Sequence, residues 1–270
     1  MPHLLNLTLK SIPDDQSERF PFNVPTIRWL AERTLTFESP VTFLIGENGS
    51  GKSTLLEAIA VAAHAISVGS ENLERDATLT SVQRLANLLR LSWKRRTHRG
   101  FFLRAEDFFG YAKRMQTIRQ EAEAELQGID DDPKLSTLAR NLARMPHART
   151  VAEIKQRYGA GLDMFSHGES FFTLFQSRFV PDGLYLLDEP EVPLSPMRQL
   201  AFLAMLKHHV AQHNAQFLIA THSPILMAYP NATIYRCDNG MIQSVTYDEI
   251  EHVRLTRDFL ADPAQFLRHL

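Results

Sequence analysis

Eight residues, Gly46-Glu47-Asn48-Gly49-Ser50-Gly51-Lys52-Ser53, restrict what this chain can fold into more than any others. They stand between an apolar, β-branched run, Val41 to Ile45, and a helix-compatible stretch, Thr54 to Ala63. The order is therefore strand, loop, helix. The glycines let the backbone turn tightly so that successive N–H groups face inward. The helix adds its own unpaired N-terminal donors, and together they form a nest for phosphate oxygens. In this spacing Lys52 reaches the β and γ phosphates, and Ser53 supplies a hydroxyl for Mg²⁺. Gly46 to Ser53, with Thr54 opening the helix, are the expected nucleotide-binding residues.

Two further apolar strands end in groups that suit the same chemistry. Gly183-Leu184-Tyr185-Leu186-Leu187 runs into Asp188-Glu189-Pro190-Glu191. An acid at the end of a strand beside a phosphate loop can hold Mg²⁺, and a second acid can polarise the attacking water. Asp188 is assigned to the metal and Glu189 to the water. Phe217-Leu218-Ile219-Ala220 ends in Thr221-His222-Ser223-Pro224, where Pro224 disfavours helix at Ser223 and leaves His222 able to sense a γ phosphate. As catalytic residues we therefore expect Glu189, Lys52 and His222, and as metal ligands Ser53 and Asp188.

Together these elements resemble the ATP-binding-cassette (ABC) ATPase superfamily over about residues 20 to 245. In that resemblance Gly46 to Ser53 match the Walker A loop, Leu184 to Glu189 the Walker B strand with its glutamate, and His222 the switch histidine. The implied fold class is α/β, a P-loop NTPase with an ABC-type nucleotide-binding domain and an inserted helical subdomain. The domain would span 1–270 with the insertion at 71–160. Ser166-His167-Gly168-Glu169-Ser170 resembles the signature segment, although His167 and Glu169 stand where Gly and Gln are common. The resemblance implies that Ser166, Gly168 and Glu169 act in trans on nucleotide held by a second copy. It also implies that Ser195, in Val192-Pro193-Leu194-Ser195-Pro196, belongs to a dimer-contact loop. The expected unit is an ATP-dependent head-to-tail homodimer. The likeness is to the stand-alone ATPases related to chromosome-maintenance, DNA-repair and phage-defence proteins. No clear glutamine loop follows the first helix, and Arg104 or Glu106 is left for that contact. Phe20, Phe22 and Trp29 all remain candidates for stacking on adenine.

Composition limits the partners. Across 270 residues, 29 Lys and Arg stand against 31 Asp and Glu, a formal net charge of -2, which argues against holding nucleic acid or a membrane by bulk positive charge. A local patch is a different matter. Arg84, Arg90, Lys94, Arg95, Arg96, Arg99 and Arg104 occur with no acid among them and with Trp93, Phe101 and Phe102 interleaved. Such a segment suits double-stranded nucleic acid, a protein partner, an ordinary solvated face, or phosphate sensing by one arginine. The only cysteine, Cys237, offers neither an internal disulfide nor a thiolate cluster and reads as a buried thiol. No run of about 18 apolar residues occurs, so the expected location is cytoplasmic, with no transmembrane segment.

The 71–160 stretch reads mainly as helices: Leu79 to Leu91, Phe108 to Leu126 and Leu135 to Leu142, broken at Asp130-Asp131-Asp132-Pro133. After His222, Ala232 to Arg236 and Ile242 to Thr246 read as edge strands joined at Asp238-Asn239-Gly240. The tail from Tyr247 reads as helix interrupted at Asp262-Pro263, with Phe259, Leu260, Phe266 and Leu267 expected to dock on the sheet.

Overall fold

A computed structural model describes residues 2–31, 33–68, 80–158, 172 and 175–268. The chain divides into two compact units, one formed by Met1–Ala105 with Val180–Leu270 and the other by Glu106–Phe179.

The first unit is mixed α/β and contains two sheets. β1 (Leu4–Leu9), β2 (Thr34–Thr36) and β5 (Leu89–Trp93) form an antiparallel sheet in the order β2-β1-β5. The larger sheet contains β3 (Val41–Ile45), β4 (Ile66–Ser67), β6 (Gly100–Arg104), β7 (Leu184–Asp188), β8 (Gln216–Ala220), β9 (Thr233–Asp238) and β10 (Met241–Ser244). Their order is β10-β9-β3-β8-β7-β6-β4. Its pairs are parallel except β9 with the edge strand β10. Every residue of β3, β7 and β8 is buried, which is why these strands read as continuous apolar runs and not as alternating ones.

The helix α2 (Lys52–Ala62) packs against β7 and β8 of the large sheet and against β5 of the small one. Leu55, Leu56, Ala58, Ile59 and Ala60 are buried on it and join one core with Leu7, Leu35, Leu44, Leu186 and Leu218. Burying each of the leucine and isoleucine side chains contributes about 1.5–3 kcal/mol. A buried amide adds a polar tie between the sheets. Gln216 Oε1 accepts from the amides of His3 and Leu4, each at 2.8 Å, while its Nε2 donates to the Leu4 carbonyl at 2.9 Å.

The helical reading of Leu79 to Leu91 changes at its end. α3 (Thr80–Leu88) stops at Leu88, and Leu89 begins β5. Along β5, buried or half-buried Leu89, Leu91 and Trp93 alternate with exposed Arg90 and Ser92, the period of a strand with one wet face. β5 and β6 thus belong to the first unit, and the second begins only at Glu106.

The described part of the second unit is helical. α4 (Ala105–Asp131) carries Glu106 and Asp107 in its first turn, where acids complement the positive helix end. α5 (Thr137–Tyr158) follows a turn in which Asp132 Oδ1 accepts from the Lys134 amide at 2.8 Å, and Arg144 pairs with Asp130.

In the first unit, α6 (Pro196–His213) precedes β8, and the four-residue α7 (Pro224–Met227) follows it. β9 and β10 form the expected hairpin, turning at Asn239 and Gly240, both with positive φ, but only β10 is an edge strand, because β9 also pairs with β3. α8 (Glu251–Ala261) and α9 (Pro263–Leu267) end the chain, with Asp262 capping the second through the Gln265 amide. Here an expectation fails. Leu260 is 71% exposed and Leu267 56%, and Phe259 packs on Phe266 at 5.7 Å between ring centroids, so these side chains lie outside the sheet core. The buried side of α8 is set by Val253 instead.

Candidate active site

The site is built on the C-terminal ends of neighbouring strands, which bring residues far apart in sequence side by side. At the end of β3 the loop takes backbone angles that L side chains resist: φ is 142° at Gly46, 80° at Gly49 and 98° at Gly51. A Cβ on Gly46 would stand 2.1 Å from the Cys237 carbonyl oxygen on β9, so the loop lies directly on that strand. Gly49 faces open space, with nothing within 4 Å of where its Cβ would be. Gly51 caps α2 in the left-handed conformation.

Lys52 is only 4% exposed, and its Nζ donates to the carbonyls of Gly46 and Glu47, both at 2.8 Å. The ammonium thus spans the loop it follows. Burial pulls its pKa below the usual lysine range, opposed by Cys237 and by the carboxylates of Glu189, Asp188 and Glu191. Ser50 accepts at its carbonyl from Thr26 Oγ1, which fixes the far side of the loop to the start of α1 (Pro25–Leu30). Thr54 lies in the first turn of α2.

Ser53 Oγ donates to Asp188 Oδ1 at 3.1 Å across a sequence separation of 135 residues. Asp188 is 9% exposed, and burial pushes its carboxyl up to about 7 against the pull of the Ser53 hydrogen bond. A hydroxyl and a carboxylate meeting at one point are hard oxygen donors, a pair that fits a small divalent cation held by few protein groups. Among the described residues no group of three or more His, Cys, Asp or Glu forms a metal cluster.

Glu189 leaves β7 with φ 51°, and its amide donates to the Ala220 carbonyl at 2.9 Å. Its Oε1 lies 3.8 Å from His222 Nε2, and both side chains are about two-fifths exposed. Glu47, Asn48, Glu189 and His222 line a cavity of about 540 Å³. A second cavity, of about 460 Å³, lies on the loop's other side between Glu47–Ser50 and the hairpin turn Asp238–Gly240.

Three features were not assigned from sequence. Glu191 Oε1 accepts from the His222 amide at 2.7 Å, and burial raises its pKa against hydrogen bonds from Thr221 and His222. Gln199 links to Ser223 and Leu194. Arg104 ends β6 opposite Asp188 and pairs with Glu57 of α2 at 2.7 Å, both largely buried. Glu191 was visible as the last acid after β7, but its role depends on a strand 31 residues away. Of the two candidates for the contact after the first helix, Arg104 ends β6, and Glu106 is exposed on α4.

The remaining expected residues fall elsewhere. Ser195 is the N-cap residue of α6, exposed, and makes no side-chain cap bond. Ser166, Gly168 and Glu169 lie outside the described residues. Among the stacking candidates, Phe22 is buried in the core, Trp29 packs against the core with Arg33 over its ring at 5.2 Å, and Phe20 is 53% exposed. None of the three lines the cavity beside Asp238. Arg84, Arg90, Lys94, Arg95, Arg96 and Arg99 are exposed, with Arg95 paired to Asp182 at 3.3 Å. No described helix is long and apolar enough to cross a membrane.

A family model for an AAA domain matches residues 26–72, the stretch that contains β3, the glycine loop and α2. No curated protein matches the chain. Among solved structures, the chain is similar to an inward-facing putative metal-chelate type ABC transporter at 16% identity and a TM-score of 0.43, covering 81% of this chain and 76% of that one. It is similar to the Smc head domain with an extended coiled coil, bound to the C-terminal domain of ScpA, from Pyrococcus furiosus. There the identity is 11%, the TM-score 0.46, and the coverage 96% of this chain and all of that one. The dimeric bacterial ABC transporter cassette MJ0796 matches at 13% identity and a TM-score of 0.42, covering 79% of this chain and 88% of that one.

Proposed function

We propose that the protein binds ATP at the Gly46–Thr54 loop and hydrolyses it, in a head-to-tail homodimer that ATP closes. The observation that carries this reading is the convergence of Lys52, Ser53, Asp188, Glu189 and His222 at the ends of β3, β7 and β8. Loop amides and the start of α2 bind phosphate oxygens, and Lys52 offsets charge on the β and γ phosphates. Ser53 and Asp188 would hold Mg²⁺, which when bound would neutralise part of the phosphate charge. Glu189 orients a water for in-line attack on the γ phosphorus, and His222 sits beside it to contact the transferred group. Ser166, Gly168 and Glu169 would reach the nucleotide of the second copy.

Steady-state hydrolysis by wild type, Glu189→Gln and Lys52→Ala tests this. Glu189→Gln should keep ATP affinity and lose at least about 100-fold in kcat, as expected for a group acting in the transition state. Lys52→Ala should lose most nucleotide binding. Equal ATP affinity in Lys52→Ala and wild type would overturn the phosphate assignment.

The exposed bases from Arg84 to Arg99 support a second element, coupling of turnover to double-stranded nucleic acid. Turnover accelerated by DNA in low salt supports it. Turnover indifferent to DNA instead supports a nucleotide-gated switch that acts on a protein partner.

A further inference from the structure

The turn after β7 and the turn after β8 are joined by two side chains. Glu191 Oε1 accepts from the His222 amide at 2.7 Å, and Gln199 Oε1 accepts from Ser223 Oγ at 2.5 Å. Gln199 is used at both ends of its amide, because its Nε2 donates to the Leu194 carbonyl at 3.1 Å. Its backbone N–H also donates to the Ser195 carbonyl at 2.9 Å, which anchors the residue in the first turn of α6.

The direction of this chain of bonds is fixed by chemistry. A backbone carbonyl can only accept, so the Gln199 NH₂ must face Leu194 and its oxygen must face Ser223. Ser223 Oγ already accepts from the Leu226 amide at 3.1 Å as the cap of α7, and its one proton is left for Gln199. No other uncharged side chain of this length carries a donor and an acceptor side by side. The bonds join Leu194, in the turn that leads to α6, through Gln199 to the residue that follows His222. The same residues rim a cavity of about 600 Å³ shared by Glu189, Glu191, Gln199, His222 and Ser223.

We propose that Gln199 is a positioning residue for His222, holding the β8 turn in register with the Glu191–Ser195 turn so that the imidazole stays against Glu189. The proposal rests on the ATPase reading. It also adds a route of control, because a displacement of Leu194 reaches His222 through two hydrogen bonds.

The test uses Gln199→Met, which keeps length and removes both bonds, and Gln199→Glu, which keeps the acceptor for Ser223 but turns a carboxylate towards the Leu194 carbonyl. Both should lower kcat about tenfold with KM for ATP within about twofold, the pattern of a lost transition-state alignment. Added to His222→Ala, Gln199→Met should cost nothing more, since it acts through the missing imidazole. A Gln199→Met kcat within twofold of wild type, or a full further loss on top of His222→Ala, overturns the proposal.

Hydrogen exchange keeps this separate from the ATPase reading. If wild type turns over no faster than Glu189→Gln, that reading fails, and the His222 and Leu226 amides are then compared. Faster exchange in Gln199→Met supports the tie, and unchanged exchange overturns it.

Discussion

Asp188 sits at the centre of the candidate site with its carboxyl pushed up to about 7, chiefly by burial. An acid whose folded pKa lies above its unfolded value keeps a proton that the unfolded chain gives up. Its stabilising effect is therefore complete below about pH 4 and is lost as pH rises to about 7. Asp188→Asn removes that titration while keeping an oxygen for Ser53. In nucleotide-free protein it should be more stable than wild type at pH 7.5 by about 2–4 kcal/mol, with the gap closing near pH 4. Urea denaturation at the two pH values measures it, and a gap that does not change with pH refutes burial as the cause. The main residues here were legible because each follows a local signal: Lys52 the glycines, Asp188 and Glu189 the apolar run ending at Leu187, His222 the run ending at Ala220. Gln199 was not legible, since one glutamine on a helix gives no local signal and its partner lies 24 residues away. Arg104 was legible only as one of a run of basic residues and as a candidate for the contact after the first helix, while its pairing with Glu57 depends on β6 lying beside β7.

At the scale of elements, period and punctuation carried the reading where an element's burial is uniform, and failed where two elements abut. β3, β7 and β8 are buried throughout, and their apolar runs marked them. α3 passes into β5 without a break at Leu88–Leu89, and no Gly or Pro separates a helical period from an alternating one. The C-terminal helices were found, but their apolar residues did not dictate docking, because Phe259 and Phe266 satisfy one another. α6 carries a further consequence of its packing. His208, His209 and His213 lie with ring centroids 5.0–5.4 Å apart, and burial, then His213 and His208, pulls His209 down to about 4. A histidine held neutral in the fold contributes stability that is present above pH 6.5 and is lost as pH falls through 4. His209→Gln should therefore lose less melting temperature than wild type between pH 7 and pH 4. Parallel curves for the two proteins would show that His209 does not govern acid sensitivity.

For the whole molecule, the proposed cycle depends on whether one copy can grip the nucleotide alone. Lys52, Ser53, Asp188, Glu189 and His222 all belong to the unit formed by Met1–Ala105 and Val180–Leu270, and Ser166, Gly168 and Glu169 lie outside the described residues. If those three residues act on the nucleotide of a second copy, neither protomer has a complete site alone, and ATP itself becomes part of the interface. Hydrolysis then opens the pair by removing the γ phosphate that both copies grip. A variant that binds ATP but cannot cleave it should accumulate the closed form. Glu189→Gln should elute as a dimer with Mg·ATP and as a monomer with ADP, by size exclusion with light scattering. Lys52→Ala should stay monomeric with either nucleotide, since it lacks the ligand that joins the copies. Ser166→Arg in the Glu189→Gln background separates trans contact from simple binding: it should keep ATP affinity within about threefold yet elute as a monomer. A Glu189→Gln protein saturated with ATP that remains a monomer would place all the phosphate contacts within one copy, and the 166–169 segment would then need a role other than gripping nucleotide.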